Sequence, residues 1–136
     1  MTRWQRQPAR HSLAVATLLA GLFPFVCNPA HAVDGGPVEF NRDIRPILSD
    51  NCYQCHGPDA NKRKAKLRLD TEADAFRDED GVRPFVAGKP SESEAYRRIT
   101  TADADDLMPP PDFGRALTDS ERELVRRWIE QGAKWQ

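Results

Sequence analysis

The sequence Cys52-Tyr53-Gln54-Cys55-His56 places two cysteines three positions apart and a histidine directly after the second. Residues at i and i+3 lie on the same side of a helical turn, so one turn can present both thiols together. Covalent haem attachment needs two thiols for the two vinyl groups, and the iron needs an imidazole ligand. The spacing predicts a c-type haem attachment site, with Cys52 and Cys55 forming the thioethers and His56 binding the iron.

The first 32 residues have the composition of a secretory signal peptide. Three arginines precede an uncharged apolar run over residues 13–26, and Ala30-His31-Ala32 ends the segment. This basic start, apolar middle and small-residue end are typical of a cleaved leader. The apolar run is shorter than the roughly 20 residues that cross a bilayer, and Pro24 interrupts it. We predict a signal peptide over 1–32, export to the periplasm or another extracytoplasmic compartment, and no transmembrane segment after cleavage.

Cleavage would leave residues 33–136 as one small domain, with an ordered core over about 38–135. The leader removes three arginines and no acidic residue, so 17 basic side chains remain against 21 acidic ones. An acidic balance of this kind argues against a nucleic-acid partner. The leader also contains Cys27, His11 and His31. The mature chain therefore holds two cysteines and one histidine, all within the pentapeptide.

Three other interpretations compete with haem for these residues. A disulfide between the two cysteines would close a very short loop and contribute little stability. Structural zinc needs four ligands, and the mature chain has no second pair of cysteines or histidines. A redox dithiol usually stands in a βαβ pattern, which this sequence lacks. We favour haem, and the dithiol and the disulfide remain open at this stage.

About four short helices joined by long loops are predicted, which makes the fold all-α. The first helix has Asp43 as its N-cap, and a second runs to about residue 76 from a cap at residue 70 or 71. Capping-box pairs, Ser91 with Glu94 and Thr118 with Glu121, start the third and fourth helices, and the fourth ends near residue 131. Such long loops in a small domain are explained if they wrap around a haem. The apolar positions expected in the core of the first and last helices are Ile44, Ile47, Leu48, Leu117, Leu124, Val125, Trp128 and Ile129.

Met108 is the only methionine besides the initiator, and three prolines follow it. Prolines hold the chain extended and prevent a helix there, which fixes the position of the thioether. A lone methionine more often fills a gap in a core, but here we interpret Met108 as the second axial ligand of the iron. A neutral thioether favours ferrous iron and suits single-electron transfer. The alternative is a five-coordinate haem sensor or peroxidase-like module in which Met108 is unbound.

A basic run follows the attachment site and comprises Lys62, Arg63, Lys64, Lys66 and Arg68. Runs of this kind are usually solvated. Two functional alternatives are a docking patch for an acidic redox partner and an ion pair with a haem propionate.

The sequence resembles the planctomycete-type cytochrome c domain in five ordered segments. They are FNRDIRPIL at 40–48, CYQCHGPD at 52–59, LRLD at 67–70, MPPP at 108–111 and LVRRWIEQGA at 124–133. The resemblance implies a class I-like fold around one covalent haem c, with His56 as proximal and Met108 as distal ligand. It further implies a protein that is exported from a planctomycete or a related bacterium. With both ligands bound to the iron, we expect an electron carrier and not an enzyme, which receives its haem from maturation machinery and exchanges electrons with redox partner proteins. Domains of this family commonly begin longer proteins, so the chain is either a free-standing carrier or the N-terminal redox domain of a larger protein.

Overall fold

The computed structural model describes residues 35–136, and the predicted signal peptide lies outside this range. The described part is helical and contains no strand, with only an isolated bridge between Glu79 and Val82, so the all-α prediction is confirmed. None of the helices in residues 35–136 combines the length and the apolar character needed to cross a membrane. The α-helices are α1 Arg45–Asn51, α2 Tyr53–His56, α3 Glu72–Ala75, α4 Glu94–Thr100 and α5 Asp119–Glu130.

The first helical segment starts earlier than the sequence predicts. A π-helical turn over Phe40–Ile44 leads directly into α1, so Asp43 lies inside the segment and the assignment of Asp43 as N-cap is wrong. Its carboxylate instead accepts a hydrogen bond of 2.8 Å from the N–H of Glu39, the residue before the turn. Pro46 occupies the first turn of α1, where a missing N–H leaves no hydrogen bond unmade.

Helix α3 begins after Thr71 and ends before Phe76, as predicted. The capping box proposed for α4 is absent, because the N-cap is Ser93 and Ser91 lies in a 3₁₀ turn over Pro90–Glu92. The buried Ser93 hydroxyl donates to the carbonyl of Lys89 and accepts from the N–H of Val86, both at 2.9 Å. The serine that begins α4 therefore braces the preceding loop instead of capping the helix with its side chain.

Helix α5 has the capping box that the sequence predicts. The Thr118 hydroxyl accepts from the N–H of Glu121 at 3.2 Å, and the Glu121 carboxylate accepts from the N–H of Thr118 at 2.7 Å. The helix ends at Glu130, two residues before Gly132, whose φ of 96° lies in the left-handed region that glycine adopts without strain. Both ends of the longest helix are therefore set by local sequence.

The core is built around Trp128 of α5. Its ring centroid lies 5.1 Å from that of Phe85 and 5.7 Å from that of Phe40, and Phe40 stacks on Trp135 at 3.8 Å. The indole N–H donates to the carbonyl of Lys134 at 3.0 Å, so its polar atom is satisfied inside the core. All eight predicted core positions are buried except Leu124, which is partly buried against the cluster.

Backbone hydrogen bonds tie the long connections to the helices. The N–H of Phe85 donates to the carbonyl of Ala75 at 3.1 Å, and the N–H of Gly88 donates to that of Ile129 at 2.7 Å. These bonds link the irregular stretch between α3 and α4 to the ends of α3 and α5. The connections thus have fixed paths even though they lack regular secondary structure.

Candidate haem site

The two cysteines of the pentapeptide lie on one helical turn, as the spacing predicts. Cys52 is the N-cap of α2, and its carbonyl accepts from the N–H of Cys55 at 3.1 Å and from that of His56 at 2.8 Å. The turn follows α1 directly, because the N–H of Cys52 itself donates to the carbonyl of Leu48. The packed helix α1 therefore fixes the start of the candidate attachment turn.

Gly57 ends this turn, and the observed geometry leaves no room for a side chain there. A Cβ at this position would lie 2.2 Å from the carbonyl oxygen of Tyr53, far inside van der Waals contact. The guanidinium of Arg63 donates to the carbonyls of Gly57 at 2.9 Å and Pro58 at 2.8 Å. The sequence places Arg63 in a basic run with no assigned contacts, whereas the structure shows that it secures the chain after the turn.

The loop after α2 folds back onto the turn. The N–H of Lys64 donates to the carbonyl of Cys55 at 2.7 Å, and the N–H of Leu69 donates to that of His56 at 2.8 Å. The last carbonyls of a helix have no partners within it, so these bonds satisfy groups that would otherwise be unpaired. These two bonds hold the backbone of Cys55 and His56 from the C-terminal side of the turn. Helix α1 holds the turn from its N-terminal side.

One cavity of about 580 Å³ brings together all four residues that the sequence singles out, Cys52, Cys55, His56 and Met108. A volume of this size is typical of cofactor and small-molecule sites. Most of the remaining wall is apolar, as a site for a flat macrocycle requires. Apolar lining residues are Leu67, Leu69, Val82, Pro84, Ile99 and Phe113.

The loop that carries Met108 is held by the end of α4. The N–H of Met108 donates to the carbonyl of Arg98 at 2.9 Å. The Arg98 side chain donates to Glu94 at 2.7 Å and to the Asp106 carboxylate at 3.3 Å, and Arg97 reaches the same carboxylate at 3.1 Å. Two arginines of α4 thus clamp Asp106 two residues before the methionine, and Pro109 follows it.

Burial sets the protonation of the histidine and of the first cysteine. Desolvation lowers the pKa of His56, which favours the neutral imidazole that can bind a metal. Its Nδ1 is buried without a hydrogen-bond partner in the described residues. Desolvation, with a smaller contribution from Cys55, raises the pKa of Cys52 to about 12. A redox dithiol depends on a lowered thiol pKa, so the raised pKa of Cys52 argues against dithiol exchange.

Sequence reasoning did not identify the polar residues that line the same cavity, which are Asn51, Arg77, Glu79, Asp80, Glu94 and Arg98. Asn51 is buried and donates to the carbonyl of Ile47 at 2.8 Å. The arginines come from α4 and from the residue after the C-cap of α3, far from the pentapeptide in sequence. Only the arrangement of these helices around the cavity could reveal them.

An all-helical domain whose Cys-x-x-Cys-His turn borders an apolar cavity has the features of the small c-type cytochromes. Residues 52–112 match the family described as Planctomycete cytochrome C, so this part of the chain is similar to a planctomycete-type cytochrome c domain. The match begins at Cys52 and includes Met108, whereas the resembling segments 40–48 and 124–133 lie outside it. The family indicates a haem-binding, electron-transfer role with haem c as the cofactor. No curated protein and no solved structure gives a significant match to the chain.

Proposed function

We propose that the mature chain, residues 33–136, is an exported monohaem c-type cytochrome that carries single electrons between redox partner proteins. The leader over residues 1–32 would direct it to the periplasm or another extracytoplasmic compartment, where haem maturation machinery attaches the haem. Cys52 and Cys55 are the proposed attachment residues. His56 and Met108 are the proposed axial ligands, so the cofactor is one haem c per chain.

One observation supports this assignment more strongly than any other. Cys52, Cys55, His56 and Met108 all line the same cavity. Three of them are adjacent in sequence, but Met108 is more than fifty positions away and enters the cavity wall through the clamped loop after α4. A methionine that merely fills a core gap needs no such convergence. The convergence of the lone thioether and the lone imidazole of the mature chain on one cavity supports the proposal that both bind the iron.

The residues of the cavity fit haem in chemistry as well as in size. The two cysteines offer thiols for thioether bonds, and the neutral imidazole and the thioether are both ligands that haem iron accepts. The apolar part of the wall lowers the local dielectric around the cofactor, which shapes the reduction potential. When bound, haem c supplies an Fe(III)/Fe(II) couple. The protein's role would be to fix both ligands and to surround the cofactor with apolar side chains.

We propose an electron carrier and not an enzyme. If His56 and Met108 both held the iron, no position would remain for a substrate, and outer-sphere electron transfer would require no acid or base from the protein. Specificity then comes from the surface that meets the redox partner. The rival in which Met108 is unbound would leave an open position and permit gas binding or peroxidase chemistry.

The test is a spectroscopic comparison of exported, matured protein with two variants. Wild type should show the ferric charge-transfer band of methionine-ligated iron, and Met108→Ala should lose it and gain carbon monoxide binding in the ferrous state. Leu107→Ala is the matched control, because Leu107 is the neighbouring residue and does not line the cavity. Its spectrum should equal that of wild type. A wild-type spectrum without the band, unchanged in Met108→Ala, would favour the five-coordinate rival.

A further inference from the structure

The loop over residues 57–66 concentrates positive charge on a domain that is otherwise acidic. It contains four basic side chains and one carboxylate, on Asp59. The rest of the mature chain holds thirteen basic and twenty acidic side chains. Lys62, Lys64 and Lys66 are exposed, and none of them forms an ion pair within the part of the chain that the structure describes.

Most other basic side chains of the described residues have carboxylate partners. Lys89 contacts Glu92 at 2.8 Å, and Arg68, two residues beyond the loop, contacts Asp70 at 2.6 Å. The loop lysines lack such partners, so their positive field extends into the solvent, where it attracts anions. The loop thus forms a basic patch that the fold itself leaves uncompensated.

The backbone of this loop is held in one conformation. The N–H of Leu67 donates to the carbonyl of Lys64 at 3.1 Å, and the Arg63 guanidinium donates to the carbonyl of Gly57 at 2.9 Å. Ala65 and the residue after it have left-handed φ values of 51° and 52°, which non-glycine residues adopt only where their surroundings hold them. The lysines therefore project from a fixed backbone, which lowers the ordering cost of binding a partner.

The loop borders the candidate haem cavity beside the attachment turn. Ala65, which lies between two of the lysines, lines the cavity. The N–H of Lys64 donates to the carbonyl of Cys55 at 2.7 Å, and the N–H of Leu69 donates to that of His56 at 2.8 Å. A protein bound to the loop would therefore be separated from a proposed attachment residue by a single hydrogen bond of the backbone.

Resting on the proposed function, we infer that loop 57–66 is the docking surface for an acidic redox partner protein, and that electrons pass between the two proteins through the attachment turn. One electron moves between the haem iron and the partner, and no atom or proton is transferred. Electron-transfer complexes are small and transient, so a few charges are enough to orient them. The acidic remainder of the domain does not prevent this docking, because salt screens charges beyond about 8 Å at physiological ionic strength.

An anionic membrane surface fits this loop less well than an acidic protein does. Polybasic segments that bind such membranes carry about 4–8 cations, each contributing about 1 kcal/mol. The loop offers four, and the Arg63 guanidinium is already bonded to the carbonyls of Gly57 and Pro58. The loop also has no large exposed apolar side chain that could enter the lipid; among the described residues Val82 is the exposed one.

The experiment follows the oxidation of ferrous holoprotein in stopped flow by two one-electron oxidants of opposite charge. These are the anion hexacyanoferrate(III) and the cation tris(phenanthroline)cobalt(III). The variant Lys62→Gln/Lys64→Gln/Lys66→Gln removes the patch and leaves the backbone bond to Cys55 in place. At low ionic strength it should react with the anion about tenfold more slowly than wild type, and with the cation no more slowly. High salt should abolish the difference.

The matched control is Arg45→Gln/Lys89→Gln/Lys134→Gln, which removes three exposed cations that do not line the cavity and reaches the same net charge. Arg45 and Lys134 lack ion pairs in the described residues, as the loop lysines do. The reaction of this control with hexacyanoferrate(III) should stay close to that of wild type. Equal slowing of both triple variants would show that only net charge matters and would overturn the inference.

A second measurement does not depend on electron transfer. Nitrogen-15-labelled holoprotein is titrated with hexaglutamate at low ionic strength, and the amide resonances of residues 62–66 should shift, whereas hexalysine should not shift them. Shifts that avoid this loop would contradict the inference. So would wild-type binding to phosphatidylglycerol vesicles at physiological ionic strength that the lysine variant loses, because the loop would then serve a membrane. Absence of covalent haem in wild type would instead overturn the proposed function, so haem content separates the two failures.

Discussion

The N–H of Met108 donates to the carbonyl oxygen of Arg98 at 2.9 Å, which joins the proposed distal ligand to the end of α4. The side chain of the same arginine reaches back to Asp106, and Arg97 contacts that carboxylate as well. One helix end thus anchors the loop through both backbone and side-chain contacts. The position of Met108 depends on α4 as well as on the prolines that follow it.

The clamp on Asp106 leads to the first prediction. Asp106→Ala removes the acceptor shared by Arg97 and Arg98, so the loop should loosen and methionine ligation should weaken. Because the pairs are partly exposed, the free energy of unfolding should fall by only about 1 kcal/mol. The methionine charge-transfer band, by contrast, should be lost at a lower pH or temperature than in wild type, measured by absorption spectroscopy.

Asp105→Ala is the matched control for this prediction. Asp105 is exposed, and its carboxylate forms no ion pair within residues 35–136. Equal loss of the band in both variants would show that the clamp does not position Met108.

Gly57 is the subject of the second prediction. Gly57→Ala would place a Cβ 2.2 Å from the Tyr53 carbonyl oxygen, so the end of the attachment turn must shift. Overpacking of this kind costs about 1–3 kcal/mol, and thermal unfolding should show a matching loss. The yield of covalently attached haem should fall too. Gly35→Ala, where the added methyl meets nothing within 4 Å, should leave both quantities unchanged; an unaltered Gly57→Ala would contradict the model of the turn.

The two capping boxes expected from the sequence supply the third prediction. Thr118→Ala removes a hydroxyl that accepts the N–H of Glu121, and should lower the free energy of unfolding by about 1 kcal/mol. Ser91→Ala should change it little, because Ser91 is exposed in a 3₁₀ turn and does not cap α4. Chemical denaturation of both variants measures the difference. A larger loss in Ser91→Ala than in Thr118→Ala would reverse the structural assignment.

These two sites show what the sequence could and could not predict. The Ser/Thr-x-x-Glu pattern is the same at residues 91 and 118, so local sequence cannot distinguish them. The outcome at residue 91 is decided by the buried Ser93 hydroxyl, which bonds to Val86 and Lys89 in a loop set by tertiary packing. The start and end of α5 were predictable because each depends on neighbours within a few residues.

The candidate site shows the same contrast between residues that local sequence identifies and residues that depend on tertiary packing. Cys52, Cys55 and His56 are recognisable because the chemistry of haem attachment demands them within one turn, and Met108 because no other methionine remains after the leader. Arg77 and Arg98 were not recognisable, since both become relevant only by lining the cavity. The contacts of Arg63 with the carbonyls of Gly57 and Pro58 were not predictable, because carbonyl partners across a turn leave no pattern in the sequence.

The fourth prediction concerns acid stability. The hydrogen bond from Arg97, followed by burial that opposes it and a bond from Arg98, leaves the pKa of Glu94 lowered to about 2. A depressed carboxyl pKa means that the stabilising contribution is complete above the ordinary value of 4.5 and is lost as the pH falls towards about 2. Glu94→Gln should therefore be less stable than wild type at pH 6, by about 1 kcal/mol.

That difference should shrink steadily between about pH 5 and pH 2, as measured by denaturant unfolding at each pH. Arg83→Gln provides a comparison, because it breaks the exposed ion pairs of Arg83 with Asp78 and Glu92 and leaves the Glu94 carboxylate in place. A Glu94→Gln deficit that is independent of pH would show that the loss comes from packing and not from the charge.

The most direct test of the central claim is the pyridine haemochrome assay, combined with the intact mass, on protein exported from cells that carry cytochrome c maturation machinery. The account predicts one covalently bound haem per chain, with the haemochrome spectrum of two thioether bonds and a mass that corresponds to cleavage after Ala32. Cys52→Ser and Cys55→Ser should each give a haemochrome with one thioether. Protein that folds, is exported and carries no covalent haem would contradict the account.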